Sequence, residues 1–328
     1  MISVGKLSVN GQVVLAPMAG ITDLPFRRLV SRFGASFVVS EMVASGELLG
    51  ARMATRARTE IDQSCGPAAV QIAGREAAPM AEAARICAGQ GAALIDINMG
   101  CPAKKVTGGL SGAALMRAPD HALRLIEAVR HAVTVPVTVK MRLGWDDESR
   151  TAPEIARRAE AAGISLITIH GRTRAQFYSG QADWAAIRAV RDAVRIPVLA
   201  NGDIVDARSA RAALAASGAD GVMIGRGAQG RPWLLAAIGA ELAGHPVPKP
   251  PTGPELFDLI AGHYEEILDF YGRELGLRIA RKHLGWYLAP LGATALRAQL
   301  MRLDCPKAVL ASLRSGLCSD PQGEAQAA

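Results

Sequence analysis

Eight short apolar runs, each trailed by a stretch patterned as a helix, fill the chain up to Gly225, and this alternation restricts the fold more than any other feature. The runs are Val13–Ala19, Ser36–Met42, Ala68–Ala73, Leu94–Met99, Val135–Leu143, Leu166–Gly171, Pro197–Asn201 and Gly221–Gly225. They read as continuous hydrophobic stretches, as strands buried on both faces do. Between them, segments such as Ala77–Ala88 and Ala152–Ala162 carry apolar residues at helical spacing. Gly91, Gly163 and Gly218 each stand where a helix closes and a strand opens, the position of a left-handed cap. One polar or turn residue near each run end gives Ala16, Glu41, Gln71, Asn98, Lys140, His170, Asn201 and Gly225, at intervals of 25, 30, 27, 42, 30, 31 and 24 residues. That is close to the period of a (β/α)8 barrel. An open doubly wound sheet is the alternative, but the first strand–helix turn has no G-x-G-x-x-G. Ser8-Val-Asn-Gly11-Gln predicts a small hairpin ahead of the barrel, because Asn-Gly favours a tight turn.

The expected class is α/β: a barrel over residues 1–246 and a small all-helical domain after it. Val247-Pro-Lys-Pro-Pro-Thr-Gly-Pro254 is a linker by composition. Beyond it the alternation stops. Leu256–Phe270, Arg278–Leu288, Ala295–Leu303 and Lys307–Leu317 read as helices, so a helical domain is expected over 255–318 and a disordered tail over 319–328. With half of 328 residues apolar and a fifth charged, the chain has material for a sizeable core. No stretch has the roughly 18 uninterrupted apolar residues of a membrane span, and the N-terminus lacks a signal-peptide core, so a cytoplasmic location is the default. Five cysteines with no Cys-x-x-Cys pair argue against a disulfide framework or zinc site. The net charge is +7, and most of the excess lies in one segment: eight basic residues between Arg273 and Arg314 face only Glu274 and Asp304. Arg278, Arg281 and Lys282 have the spacing of one helical face. Such a segment suits a polyanion such as nucleic acid; a solvated helical surface is the bland alternative.

In a barrel of this type the chemistry sits at the C-terminal ends of the strands. Asn201-Gly202-Asp203 and Gly225-Arg226-Gly227 follow strands seven and eight, where such barrels hold phosphate on backbone N–H groups. Lys140 stands inside an apolar strand and calls for an anionic group or a Schiff base. His170 ends Leu166-Ile-Thr-Ile-His and is a candidate acid, base or hydrogen-bond donor; as a lone histidine it makes no metal site. Cys101 is the sharpest candidate. It lies at the end of strand four in Asn98-Met-Gly-Cys-Pro102, before the Gly-rich loop Ala103–Gly112 that causes the 42-residue interval. Lys104 and Lys105 in that loop are placed to meet phosphates. Cys65, Cys87, Cys305 and Cys318 are read as inert, Cys87 being mid-helix.

Ala16-Pro-Met-Ala-Gly-Ile-Thr-Asp23, Asp96-Ile-Asn-Met-Gly-Cys-Pro-Ala-Lys-Lys-Val106, Lys140-Met-Arg-Leu-Gly144, His170-Gly-Arg-Thr173, Asn201-Gly-Asp203 and Gly225-Arg226 together resemble the tRNA-dihydrouridine synthases. The Asn98–Val106 form and Arg281-Lys-His-Leu-Gly-Trp286 resemble the bacterial B-type branch. The resemblance covers nearly the whole chain. It implies a barrel with non-covalent FMN, a helical tRNA-binding domain, and NADPH-dependent reduction of uridine to dihydrouridine in the tRNA D-loop. By motif match it implies FMN contacts from Ala16, Pro17, Met18, Gln71, Lys140, His170, Asn201, Gly202, Asp203, Gly225 and Arg226. Cys101 becomes the proton donor, and Asn98, Arg142 and Arg172 become uridine contacts. Neither a membrane nor an obligate protein partner is implied. Two rival readings remain at this point. One is another FMN barrel acting on a free pyrimidine, such as a dihydroorotate dehydrogenase. The other is a non-catalytic RNA-binding protein.

Overall fold

The computed structural model describes residues 1–35, 37–50 and 58–318; Ser36, at the head of the second expected strand, and the expected tail 319–328 lie outside them. The chain divides into two compact units, residues 1–228 with 234–247, and residues 229–233 with Pro248 onward.

The first unit is a closed barrel of eight parallel strands: β3 (Val13–Leu15), β4 (Val38–Ala44), β5 (Ala68–Ala73), β6 (Leu94–Met99), β7 (Val137–Arg142), β8 (Leu166–His170), β9 (Val198–Asn201) and β10 (Gly221–Ile224), with β10 pairing back to β3. Ahead of it stands the hairpin β1 (Ile2–Val4) and β2 (Leu7–Val9). The hairpin turn is not at Asn10-Gly11 as expected. Pairing of Ile2 with Val9 and Val4 with Leu7 puts the turn at Gly5-Lys6, with Gly5 at φ +59°, while Asn10-Gly11 leads into β3. The apolar register decided this over the local Asn-Gly preference: Ile2, Val4 and Val9 are all buried in the cluster that lines the barrel interior. Strand β3 stops at Leu15 rather than Ala19, because Pro17 has no N–H to continue the ladder. Strand β4 runs two residues later than expected, to Ala44. The expected helices occur as Ala77–Gly89 and Ala152–Ala161, and Gly218 caps Ala207–Ser217 at φ +65°.

The strands are not uniformly apolar. Successive side chains point to opposite faces. One parity, including Leu15, Val70, Ile72, Ile95, Ile97, Val139, Met141, Ile167 and Ile169, packs into the main core. The other parity lines the barrel interior in layers. Val14, Val39, Ala69, Leu94, Leu166, Leu199 and Met223 form an apolar floor with the hairpin. Above them the same parity brings Gln71, Asp96, Thr138 and Thr168, then Asn98, Lys140, His170 and Asn201. The fold therefore concentrates its buried polar groups toward one mouth.

The second unit packs four helices, Gly253–Tyr271, Arg273–Leu288, Thr294–Leu300 and Pro306–Cys318. Leu256, Phe257, Ile260, Tyr264 and Ile267 on the first, and Leu277, Ala280, Leu284 and Leu288 on the second, recur at helical spacing and form its core. The expected linker ends two residues early. Gly253 and Pro254 open the first helix, where proline's missing N–H costs nothing. Residues 229–233 join this unit because Gly230, at φ +68°, lies directly against the Trp286 backbone. Among the described residues, no helix is long and apolar enough to cross a membrane.

Candidate active site

The strand ends bring Asn98, Lys140, His170 and Asn201 side by side, with Asn98 opposite Lys140 and His170 opposite Asn201 in the register. The Lys140 ammonium donates to Asn201 Oδ1 at 3.0 Å, and Asn201 Nδ2 donates to the Met223 carbonyl at 2.7 Å. Although Lys140 keeps some exposed surface, its ammonium sits deep enough that desolvation, helped by the like charge of Arg142, pulls its pKa down to about 8. Asp96 and Cys101 act the other way. His170 is buried among Lys140, Arg142, Arg172 and Arg226; burial first and these charges second push its pKa down to about 2. Its Nε2 lies 3.3 Å from Arg172 Nη1. A guanidinium only donates, so Nε2 accepts and the ring proton resides on Nδ1. His170 is therefore neutral at physiological pH, a hydrogen-bond donor and not an acid.

Cys101 is half-buried at the mouth, and its backbone is fixed from both sides. Asn98 Oδ1 accepts the N–H groups of Cys101 at 2.9 Å and Gly100 at 3.2 Å. The Cys101 carbonyl accepts Ala113 N–H at 3.0 Å. The segment after it is not an open loop. It holds a short helix, Lys104–Thr107, and folds back at Gly112. There, at φ +57°, an added Cβ would come within 2.9 Å of the Cys101 carbonyl. Lys104 and Lys105 are exposed on that short helix. Of the other cysteines, Cys87 is buried with its thiol pushed up to about 12 by desolvation, Cys65 is half-buried, and Cys305 and Cys318 are exposed. Among the described residues, no cluster of His, Cys, Asp and Glu is arranged to hold a metal.

Arg142 and Arg172 stand in the mouth, but their guanidinium groups are spent on the protein. Arg142, 1 % exposed, donates to the carbonyls of Gly100 (2.8 Å), Thr173 (2.8 Å) and Phe177 (2.7 Å). It thereby ties the Cys101 segment to the loop after β8. Arg172 grips Asp203 with both forks, at 3.0 and 2.5 Å, and donates to Ser179 and Gly180 carbonyls. Burial alone would raise the Asp203 pKa, but Arg172, the Ala182 N–H and Arg226 hold it below the usual carboxylate range. Both arginines thus brace the loops around the pocket, at the mouth where the sequence expects them to meet uridine. Asn98, too, spends its oxygen on the Cys101 segment, and its Nδ2 donates to Gln71 Oε1 at 2.8 Å.

The two loops expected to hold phosphate are adjacent. Asp203 adopts φ +54° and accepts from Arg226 at 3.3 Å. The Arg226 side chain remains 56 % exposed, with its head 5.0 Å over the Tyr178 ring. Gly202 is obligatory at φ +116°: a Cβ there would meet the His170 ring at 2.9 Å. At Gly225 the nearest groups to an added Cβ are Ala16 Cβ and Met18 Sδ, both at 3.6 Å, so Ala16, Met18 and Gly225 share one wall beside half-buried Pro17. Gln71 is buried and donates to Asp96 Oδ2 at 2.7 Å.

Sequence reasoning missed three members of this site. Asp96 and Thr138 were legible, because they share the parity of Asn98 and Lys140 on their strands. Tyr178, half-exposed with Arg142 and Arg226 both over its ring, lies in a loop with no pattern to announce it. In the helical unit, Arg278 and Lys282 are exposed on one helix, whereas Arg281 pairs with Asp304 at 2.6 Å and with the Leu303 carbonyl at 3.1 Å. Arg273, Leu277, Arg278 and Arg281, with Glu274 and Asp304, line a groove of about 400 Å³.

The family model described as dihydrouridine synthase (Dus) matches residues 14–318. The chain belongs to the dihydrouridine synthase family. A probable tRNA-dihydrouridine synthase of Rhodobacter capsulatus is 66 % identical over 96 % of this dihydrouridine synthase chain and 97 % of its own length. One from Rhizobium leguminosarum is 56 % identical over 95 % and 96 %. The tRNA-dihydrouridine synthase B of Pseudomonas aeruginosa is 46 % identical over 96 % and 95 %. Among solved structures, a 2-naphthoyl-CoA reductase aligns with a TM-score of 0.58 at 15 % identity. It covers 75 % of this chain but only 52 % of its own, and shows a shared fold alone.

Proposed function

We propose that this chain is a tRNA-dihydrouridine synthase that reduces uridines of the tRNA D-loop to 5,6-dihydrouridine, with bound FMN as cofactor and NADPH as reductant. The observation that carries the reading is the end-to-end match to the family together with Cys101 fixed at the same mouth as Lys140, His170 and Asn201.

The donor set fits a flavin. Lys140 is a deeply placed ammonium whose hydrogen-bond partner is a neutral amide, so the mouth offers weakly compensated positive charge to an electron-rich group. Arg226 presents an exposed guanidinium beside Gly225 and Gly202, where phosphate approaches closely. Ala16, Pro17, Met18, Gln71, Lys140, His170, Asn201, Gly202, Gly225 and Arg226 would hold the cofactor; Asp203 serves by holding Arg226 and Arg172. When bound, FMN would supply the two-electron, NADPH-derived reducing chemistry that side chains lack, as the hydride needed at uracil C6.

The chain's own residues supply the rest. Lys140 sets positive charge beside the redox group. Cys101 holds a proton on its thiol and hands it to C5, as a general acid positioned by its backbone anchors. His170, neutral, donates through Nδ1–H and does not compete as the acid. The target base must leave the stack to reach so deep a mouth. The helical unit grips tRNA phosphates through Arg278, Lys282 and neighbouring cations, and Lys104 and Lys105 meet phosphates near Cys101. On this reading the enzyme works in the cytoplasm with its tRNA substrate. The test is direct: purified protein should be yellow, release free FMN on acid precipitation, and form dihydrouridine in unmodified tRNA with NADPH. Protein that stays colourless after reconstitution with excess FMN, or leaves tRNA unmodified, overturns the reading.

A further inference from the structure

A chain of buried hydrogen bonds runs from the barrel interior up to the Cys101 backbone. Thr138 Oγ1 donates to Asp96 Oδ1 at 2.5 Å, Gln71 Nε2 donates to Asp96 Oδ2 at 2.7 Å, and Asn98 Nδ2 donates to Gln71 Oε1 at 2.8 Å. Asn98 Oδ1 then receives the Gly100 and Cys101 N–H groups. All four side chains are buried, none more than 8 % exposed. Burial dominates and pushes the Asp96 carboxyl above its ordinary range, against the Thr138 and Gln71 hydrogen bonds and the Lys140 charge, which favour the ionised form; in this geometry both carboxyl oxygens accept a donor.

Each amide in this chain has two ends of opposite polarity, and a flip of either would invert everything above it. An inverted Asn98 would aim its NH2 at two backbone N–H donors and release the Cys101 segment. The polarity is fixed at the lower end by Asp96, an acceptor on both oxygens when ionised. That gives a buried carboxylate, costly in itself, a purpose that an amide side chain would serve less well. An amide at position 96 could offer Gln71 either an acceptor or a donor, whereas a carboxylate offers one choice.

We propose that Asp96 is a positioning residue for Cys101: through Gln71 and Asn98 it fixes the direction of the hydrogen-bond chain that anchors the Cys101 backbone. This rests on the reading of Cys101 as the proton donor. Asp96 itself touches neither Cys101 nor the reacting atoms; it acts two side chains away.

The direction of the chain can be tested by moving the carboxylate along it. In Gln71→Glu two carboxylates face each other where a donor met an acceptor; when both are ionised they repel and pull the position-71 side chain away from Asn98, so exchange is compared at a pH high enough that the pair does not share a proton. In the double variant Asp96→Asn/Gln71→Glu, the amide introduced at position 96 donates to the carboxylate introduced at position 71. That carboxylate accepts from Asn98, and Asn98 again offers its oxygen to Gly100 and Cys101. Each link between positions 96 and 101 regains a donor and an acceptor, with the negative charge one link higher. The readout is amide hydrogen exchange at Gly100 and Cys101 in the full chain, which reports the anchoring without cofactor or substrate. Exchange should rise about tenfold or more in Gln71→Glu and return to within about threefold of wild type in the double variant. Asp96→Asn alone should raise it by about threefold or more, because an amide at position 96 can offer Gln71 a donor as readily as an acceptor and no longer fixes the direction of the chain; exchange unchanged in that variant overturns the proposal. Exchange unchanged in Gln71→Glu, or a double variant no better protected than that single one, overturns the proposal.

Should Gln71→Glu fail to fold, Asn98→Asp with and without Asp96→Asn repeats the logic two links along the chain. Doubles that fold and protect these amides where the singles do not support the proposal; doubles that fail alike overturn it. The Cys101 reading is judged separately, by reoxidation of pre-reduced Cys101→Ala on tRNA. A wild-type rate there removes the acid role of Cys101 and leaves the exchange result standing.

Discussion

Replacing Arg172 with Met separates a framing role from a substrate-gripping one. In the folded chain the Arg172 guanidinium is 1 % exposed, forks onto Asp203 at 3.0 and 2.5 Å, and donates to the Ser179 and Gly180 carbonyls at 3.0 and 2.7 Å. Removing one partner of a buried ion pair typically costs about 3–5 kcal/mol, because the other is left uncompensated. Asp203 is not wholly abandoned here: its side chain is 29 % exposed, and it keeps Arg226 at 3.3 Å and the Ala182 N–H at 2.8 Å. The low end of that range, about 3 kcal/mol, is therefore expected. For a unit of this size each kcal/mol moves the melting temperature by about 2–4 °C, so Arg172→Met should melt roughly 6–12 °C below wild type. Arg172→Lys should recover little of this, because an ammonium cannot fork onto a carboxylate and reach two carbonyls. Thermal unfolding by circular dichroism, paired with steady-state kinetics on tRNA, reads both possibilities. A Met variant that melts within about 2 °C of wild type but shows a raised KM for tRNA would refute the framing role and restore Arg172 as a uridine contact.

Cys101→Ala should keep its yellow colour and its rate of flavin reduction by NADPH, yet lose about 10²–10⁴-fold in reoxidation by tRNA in single-turnover mixing, the usual contribution of a general acid; Cys101→Ser should stay well below wild type. Because the Lys140 pKa is pulled down to about 8, FMN affinity of the apoprotein should weaken as pH rises above that value and the ammonium discharges; fluorescence titration should show this slope, and Lys140→Met should flatten it. Buried His283, edge-on to His263 at 4.7 Å, is held neutral well below 6.5 by desolvation first and the neighbouring His263 and Lys282 charges second. The unfolded chain takes up a proton near pH 6.5 that the folded one refuses, so stability falls with acidity. Urea unfolding of the helical unit should lose stability progressively as pH falls from about 7.5 to 5.5, and a flat profile would count against it. Replacing Arg278, Arg281 and Lys282 with Ala should weaken tRNA binding and flatten its log–log salt dependence by up to about 0.9 per lost phosphate contact, with FMN content unchanged. An unaltered salt slope would make that face a solvated surface.

The barrel was legible because its signal is redundant. Eight runs, all but one pair 24–31 residues apart, leave little choice of topology, and a boundary error at one run does not disturb the others. Errors clustered where a local preference competed with a longer-range one. Asn10-Gly11 is a strong turn signal, but burial of Ile2, Val4 and Val9 placed the turn at Gly5. The run from Val13 looked long until Pro17 is counted as a missing donor. The Gly-rich segment after Cys101 read as a loop, yet four residues of it are helical.

The site divides along a different line. Which residues reach the mouth follows from strand parity, and parity can be read from sequence. Asp96 with Asn98, Thr138 with Lys140, and Thr168 with His170 are spaced two apart inside otherwise apolar runs, a pattern more informative than hydrophobicity alone. What each residue does on arrival depends on groups distant in sequence. Arg142 meets the carbonyls of Gly100, Thr173 and Phe177, and Arg172 meets Asp203, Ser179 and Gly180. Nothing in the motifs around them announces those partners. An arginine at a barrel mouth invites assignment to an anionic or polar substrate. A guanidinium with five donors, however, is also the side chain best able to satisfy several carbonyls of irregular loops at once. Where loops of this length must be held still around a barrel mouth, framing and binding compete for the same cations. In this structure the buried arginines brace loops, and the mouth cations with exposed or weakly compensated charge are Arg226 and Lys140.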